Sequence, residues 1–410
     1  VTPLTRRQLI AATGAAGAGL VAGCGASRSA DPPRPAPPVG ADGSARQHAW
    51  TASLTRDAAG NVLPPRHQAL LVCELAGDPT PARAAEAEAA LRRVERATVH
   101  AGSPLHVAVG WGPAWFAAVG LPSPVPRPRA LSTTELPDLE DPVAVVHLGC
   151  DDEAVLRDAA DALAGTRPFP HATGATGLDG LLRVTERREG FVGAGLPRQH
   201  QVAVTGLPQR RPLPRDAPLY MGFQSGLRRN QATEDDVTIA DGRWRHGTTM
   251  HVSRIVLSLD SWYDGLDDTD RVRRMFRADA TPEDVHREPG GLANPRRDLA
   301  AVARRHHLVG HAQSMASARR GGRPVILRRD FNGTGGDQAT THFVALQRTI
   351  ADFERTREAM NASRAVGASP SVGQQVNNGI SEWITVSARM NLLVPRRAER
   401  ICPGLHGWAA

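Results

Sequence analysis

Residues 67–75, HQALLVCEL, decide how this chain is read. The run is apolar in sequence rather than alternating, which predicts a strand buried on both faces. Working outward, residues 80–98 predict a helix, opened by Thr80-Pro81 and carrying Ala, Leu and Val at helical spacing. LHVAVGW at 105–111 predicts a second strand, followed by a helical turn at 113–119, a strand at 143–148, an amphipathic helix at 151–165 and a short strand at 202–205. The pattern then recurs. Strands are predicted at 219–223 and 248–259, a charged helix at 269–276, and a Gly/Pro loop at 288–297. Strands at 325–327 and 342–347 precede a helix at 349–362, with Phe353 and Met360 two turns apart on one face. A last strand is predicted at 383–386.

The order resembles βαββαβ, the ferredoxin-like unit, stated twice. Two such halves in one chain give an α+β fold of the dimeric α+β barrel type. The predicted divisions are a signal at 1–24, a tether at 25–65, and ferredoxin-like halves at 66–205 and 206–410.

The chain has 410 residues, 41% hydrophobic and 22% charged, enough for a sizeable core. Its net charge is +7, and every Lys+Arg base is arginine. With 40 Gly and 32 Pro, that bias reads as genome composition and not as a nucleic-acid footprint. No RNP, helix-turn-helix or zinc-finger spacing accompanies the charge, so no nucleic-acid partner is expected.

Thr5-Arg6-Arg7-Gln8-Leu9-Ile10 resembles a twin-arginine export motif, and a short Ala/Gly-rich apolar run follows it. The run ends in LVAGC at 20–24, which resembles a bacterial lipobox with Cys24 as the lipidated residue. The expectation is Tat export and lipid anchoring at the outer face of the cytoplasmic membrane; an ordinary Tat signal with a chance Cys is the alternative. Residues 25–65, rich in Pro, Gly, Ala, Ser and Arg, predict a tether, with ordered structure beginning near His67. Cys73 and Cys150 fall near the ends of two predicted strands that could be neighbours; a disulfide and two buried free thiols both fit. No cysteine or histidine spacing predicts a structural zinc.

The chemistry concentrates in GHAQSMASARRGGRPVILRRDFN at 310–332. A neutral imidazole, here His311, is a good axial ligand for haem iron, and a guanidinium that stays charged suits the opposite face. Arg328 and Arg329 end the short strand that follows.

With these segments in hand, residues 67–362 resemble dye-decolourising (DyP-type) peroxidases, nearest the Tat-exported branch. The resemblance is carried by HQALLVCEL, VAVGWGPAWFAAVGLP at 107–122, APLYMGFQSGLRRNQ at 217–231, the stretch 246–276, PVILRRDFNG and THFVALQRTIADFERTREAMN, in that order. It implies haem b as cofactor, with His311 as proximal ligand, Arg328 over the distal face ahead of Arg329, for which a structural salt bridge or a haem-propionate clamp is the preferred alternative, and Arg254 as a weaker propionate candidate. It also implies hydrogen peroxide and an organic reductant as substrates, and leaves a homo-oligomer open. The family's distal GxxDG motif is departed from: Gly222-Phe223-Gln224-Ser225-Gly226 puts Ser225 where Asp is expected, and Gly190–Ala194 is a poorer match. An unactivated hydroxyl cannot accept a proton near neutral pH, so Ser225 reads as a turn residue or a water holder. Glu234, Asp235 or Asp236 could substitute if their loop folds back. Three readings follow: a haem peroxidase, a non-catalytic haem-binding lipoprotein, or an iron-uptake component. Trp111, Trp115, Trp244, Trp262, Trp383, Trp408, Tyr220 and Tyr263 are available as radical carriers, and most read as packing.

Overall fold

The computed structural model describes residues 45–58, 60–170, 172–223, 230–287 and 298–405. The predicted signal, Cys24, the first part of the tether, Ser225, the 288–297 loop and Trp408 lie outside the described residues.

The strands are β1 (His67–Leu75), β2 (His106–Trp111), β3 (Asp138–Leu139), β4 (Ala144–Cys150), β5 (Leu182–Phe191), β6 (Thr248–Leu257), β7 (Leu327–Arg328), β8 (Phe331–Gly333), β9 (Thr340–Gln347) and β10 (Ile384–Val394). The helices before β6 are α1 (Pro81–His100), α2 (Pro113–Ala118), α3 (Glu153–Leu163), α4 (Leu196–Gln199) and α5 (Glu234–Val237). Between β6 and β7 lie α6 (Leu259–Asp264), α7 (Asp268–Met275), α8 (Pro282–Arg287), α9 (Leu299–His306) and α10 (His311–Met315). After β9 come α11 (Ile350–Ala359) and α12 (Ser363–Val366).

In space the first half runs β2-β4-β1-β5 and the second β8-β9-β6-β10, the same ferredoxin-like order in each. The two sheets join at β5–β8 and again at β2–β10, closing a barrel. At the first seam Gly190 pairs with Gly333; a Cβ on Gly190 would lie 1.6 Å from the Asn332 carbonyl oxygen. Glycine is therefore obligatory for the strands to meet there, which explains Gly190 without a distal motif.

β1 is apolar throughout because both its faces are covered. Ala69, Leu71 and Cys73 pack outward with residues of α1 and α3, while Leu70 and Val72 join Val145, Met250, Val252, Val344 and Leu392 inside the barrel. The helix signals hold: the Thr80 hydroxyl accepts from the Arg83 N–H with Pro81 in the first turn, and Asp152 caps α3 through the N–H groups of Ala154 and Val155.

Several expectations are corrected. The first half's last strand is β5, not residues 202–205, which form turns. β5 reads LRVTERREGF, and its charges are paired: Arg188 with Glu140 at 3.0 Å and with Glu186 at 2.6 Å, and Arg187 with Asp161 and Glu189. Residues 219–223 are turns pinned by Tyr220, whose N–H donates to Asn332 Oδ1 and whose hydroxyl donates to the Gly333 carbonyl. The strand expected at 383–386 is the start of the eleven-residue β10, the central partner of β6. Cys73 and Cys150 sit on paired strands as free buried thiols, but Cys73 faces Ala144 and Cys150 faces His67. Six residues of strand separate the two positions, about 20 Å, far beyond disulfide reach.

Order also begins earlier than expected. Residues 45–53 form a strap across the barrel. Gln47 accepts from the Val109 N–H at 2.8 Å and donates to the Pro395 carbonyl at 2.9 Å, tying β2 to the end of β10. Trp50, 3% exposed, rests between His106 and His147 with ring centroids 5.1 Å away in each case.

Candidate functional site

His311 opens α10, and the backbone beneath it is tightly fixed. A Cβ on Gly310 would lie 2.3 Å from the Phe276 carbonyl oxygen, so only glycine allows this approach. Gln313 Oε1 accepts from the N–H groups of Gly310 and Ala278 at 3.0 and 3.1 Å. From the other side, Gly379 (φ +56°) donates to the Val309 carbonyl at 2.8 Å and stands close enough to the His311 backbone that a Cβ would lie 2.9 Å from Cα. The half-buried His311 ring makes no hydrogen bond with any described residue. Burial, then the Arg328 and Arg357 guanidinia, push the imidazole down to about 4, so it is neutral at physiological pH.

The strand after α10 explains how two adjacent arginines diverge. β7 pairs Leu327 with Leu346 and Arg328 with Ala345, and β8 resumes the same register with Phe331 opposite His342. Leu327 and Phe331 belong to the barrel interior. With a period of two, Arg328 and Asp330 face outward, toward the layer containing Ile326, Ala345, Phe343 and Phe353. Arg329 faces inward. Its guanidinium lies 3.7 Å above the Trp50 ring, donates to the His48 carbonyl at 2.6 Å and to Glu234 Oε1 at 3.2 Å, and is 4% exposed.

His311 and Arg328 are thus brought into electrostatic range of each other, while Arg329 takes its salt-bridge alternative and not the cofactor-binding one: it is a barrel-core ion pair on the opposite sheet face. Arg254 is also corrected. It pairs in register with His342, whose other neighbour is Phe331, and so lies on the inner face. The acidic run does not fold back over Arg328. Glu234 holds Arg329 and the N–H groups of Trp50 and Thr51, Asp235 pairs with Arg46, and Asp236 forms a capping box with Thr233.

Asp330 was not singled out from the sequence, although the Arg-x-Asp spacing on a strand already places both side chains on one face. Its Oδ1 accepts from the Val344 N–H at 3.2 Å, and Oδ2 lies 3.7 Å from Arg328 Nη1. Burial pushes this carboxyl up to about 6, against the pull of Arg328 and the Val344 N–H. Arg328 remains 34% exposed, its backbone N–H donating to Gln231 Oε1.

The donor set fits a haem in kind: an unbonded neutral imidazole, apolar walls, and a guanidinium with an acid beside it. Two cavities on the described surface lie elsewhere. One of about 30 Å³ is lined by Glu135, Arg357 and Gln374 among others, and one of about 170 Å³ by His67, Phe191 and His200 among others; neither takes in His311, Arg328 or Asp330.

Residues 65–396 match the model of one protein family. The chain belongs to DUF7405, a family of unknown function. No match is found among curated proteins. Among solved structures this DUF7405 chain is similar to DyPB from Rhodococcus jostii RHA1, at 17% identity and TM-score 0.55, covering 86% of this chain and 97% of that one. It is similar to a dye-decolorizing protein from V. cholerae, at 16% identity and TM-score 0.54, over 84% and 96% of the two chains. A DyP-type peroxidase from Cellulomonas bogoriensis matches at 20% identity and TM-score 0.54, over 81% and 90%. At these identities the likeness shows the fold: DUF7405 here adopts the two-half α+β barrel of DyP-type peroxidases. A variant of the Rhodococcus protein has been solved in complex with heme.

Proposed function

We propose that this DUF7405 protein is an exported, haem b-dependent peroxidase, reducing hydrogen peroxide and oxidising an organic donor. The observation that carries the reading is an imidazole at a fixed helix start, without a hydrogen-bond partner among the described residues and within electrostatic range of the Arg328 guanidinium on the outer face of β7. His311 would hold the iron, and the apolar layer of Ile326, Ala345, Phe343 and Phe353 would exclude water from the ring. Bound haem would supply the electrons that peroxide reduction consumes. Arg328 would stabilise negative charge developing on a peroxide oxygen, the kind of preorganised electrostatics that dominates such steps. The twin-arginine and lipobox motifs support export and anchoring at Cys24. Ser225 in the matching Asp position favours one second reading, a haem-binding lipoprotein without peroxidase chemistry.

The test is an absorption spectrum after incubation with haemin, for the parent and His311→Ala. The expected result is a Soret band in the parent that is lost or shifted in the variant. A folded parent with no Soret band refutes the haem reading.

A further inference from the structure

We infer that the cleft beside the β5–β8 seam is a binding site for a neutral sugar ring, seated face-on against the Phe191–His200 pair. The site is separate from His311 and independent of the haem reading.

The cleft holds about 170 Å³, where the start of β1, the end of β5 and the start of α3 meet the turn after α4. Its size sets the scale of the ligand. A closed cavity of about 150 Å³ takes one benzene ring, so this cleft takes a single six-membered ring. Glu153, Arg157, Ala203 and Thr334 on its rim are exposed, which leaves room for ring substituents.

The lining has an apolar part and a polar part. Leu156, Val204 and Phe191 are buried, and the half-buried His200 ring stacks on Phe191 at 4.3 Å with 24° between the planes. Together they offer a ring face something flat to lie on. The polar part is His67, Glu153, Arg157, Glu189 and Thr334. Neither the His67 ring nor the His200 ring makes a hydrogen bond with any described residue. Burial, against the pull of Glu153, lowers His67, so its ring is neutral at physiological pH with one N–H to donate and one lone pair to accept.

Charge selects a neutral ligand. Glu153 is paired with Arg157 at 3.0 Å, and Glu189 accepts from Arg187 Nε at 3.1 Å, so the carboxylates are already matched and no cation is called for. An anionic ring would meet both carboxylates. Polarity then selects a sugar over an aromatic ring. A phenol brings one hydroxyl; seated here it would displace water from imidazoles, carboxylates and a guanidinium while answering one of them, and water displaced without replacement of its hydrogen bonds loses affinity. A pyranose carries hydroxyls around most of its edge, each able to donate and to accept, and a C–H face that can lie on a ring. Its edge matches the rim and its face matches the floor.

The experiment is saturation-transfer NMR on the full chain with glucose, galactose, mannose and N-acetylglucosamine in turn, and with phenol and benzoate as contrasts. At least one sugar should receive transfer, strongest at the hydrogens of one ring face, with a Kd on the order of millimolar for so small a ligand. Phenol should bind more weakly and benzoate not at all. Ala203→Trp fills the cleft from its exposed rim and should abolish the transfer. His67→Ala removes one hydrogen-bonding partner and should weaken binding about three- to tenfold. Circular dichroism checks that both variants fold. No transfer to any sugar from the folded parent overturns the inference, as does a phenol bound more tightly than every sugar. So does transfer undiminished in folded Ala203→Trp, or in His67→Ala where Ala203→Trp does not fold.

Discussion

Replacing Glu234 with Ala tests whether the strap at 45–53 is part of the fold. One carboxylate oxygen, Glu234 Oε1, accepts from the Trp50 N–H at 2.6 Å, from the Thr51 N–H at 2.8 Å and from Arg329 Nη2 at 3.2 Å. The two charged side chains are 4% and 10% exposed. Losing the carboxylate leaves Arg329 charged inside the barrel with the His48 carbonyl as its remaining acceptor, and breaking a buried pair in this way costs about 3–5 kcal/mol. Most of that cost is desolvation of the orphaned cation, so the double replacement Glu234→Leu with Arg329→Met should recover the greater part of it. Urea unfolding followed by tryptophan fluorescence reads both variants. The expected Glu234→Ala shift in midpoint is on the order of 1 M, given slopes of a few kcal/mol per molar. A loss under about 1 kcal/mol, with the double variant no better, would show that the strap rests on the barrel without being held by it.

Gly379→Ala should cost more than about 1 kcal/mol, because the position has φ +56° and its Cβ would crowd the His311 backbone at 2.9–3.0 Å. It should also weaken haemin binding in a spectral titration; unchanged affinity would mean that the imidazole is not placed by this contact. His147, pushed down to about 3 by burial and then by Arg329 and His106, is neutral in the folded barrel and takes up a proton once unfolded. Its stabilising contribution is full above its ordinary value of 6.5 and is lost as pH falls toward 3. His147→Gln should therefore reduce the parent's loss of stability between pH 7 and pH 5 by roughly 2 kcal/mol, measured by urea unfolding at the two pH values. An unchanged pH slope would refute the assignment.

The first half was legible where strands are apolar on both faces, as in β1, β2 and β4, because closure of the barrel leaves no polar side to conceal them. β5 and β10 were harder for the same physical reason in reverse. Arg187 and Arg188 look like surface residues until Glu140, Asp161 and Glu186 are brought to them. In β10, Arg389 is 1% exposed because Glu135, distant in sequence, meets it at 2.9 Å, and the Asn391 amide donates to the Pro126 carbonyl. Long-range pairing of this kind leaves no periodic trace. The strap was hidden by composition: Gln47, His48 and Trp50 sit at the end of a Pro/Gly/Ala-rich tract, and only their burial distinguishes them. At the candidate site, the expectation for His311 and Arg328 came from one short segment, and the structure brings the two into electrostatic range. The divergence of Arg328 from Arg329 required the register of β7 against β9, and Asp330 required the same parity carried two residues further.

That parity decides where a ligand can act. The closed barrel runs β2-β4-β1-β5-β8-β9-β6-β10, eight strands, and an interior of that size is just filled by side chains. Here it is filled by an apolar cluster and by Trp50, His147, His342 and the Arg329–Glu234 pair. The inward residues of Leu327–Phe331 are therefore committed to stability, and chemistry falls to the outward ones. Of those, Arg328 is partly exposed with its ion pair stretched to 3.7 Å, and Asp330 is a carboxyl whose burial disfavours its charge. Both carry an energetic cost that a core has no need of, and such costs are retained where a site uses them. The outer face of β7 is thus where the proposed ligand would have to act.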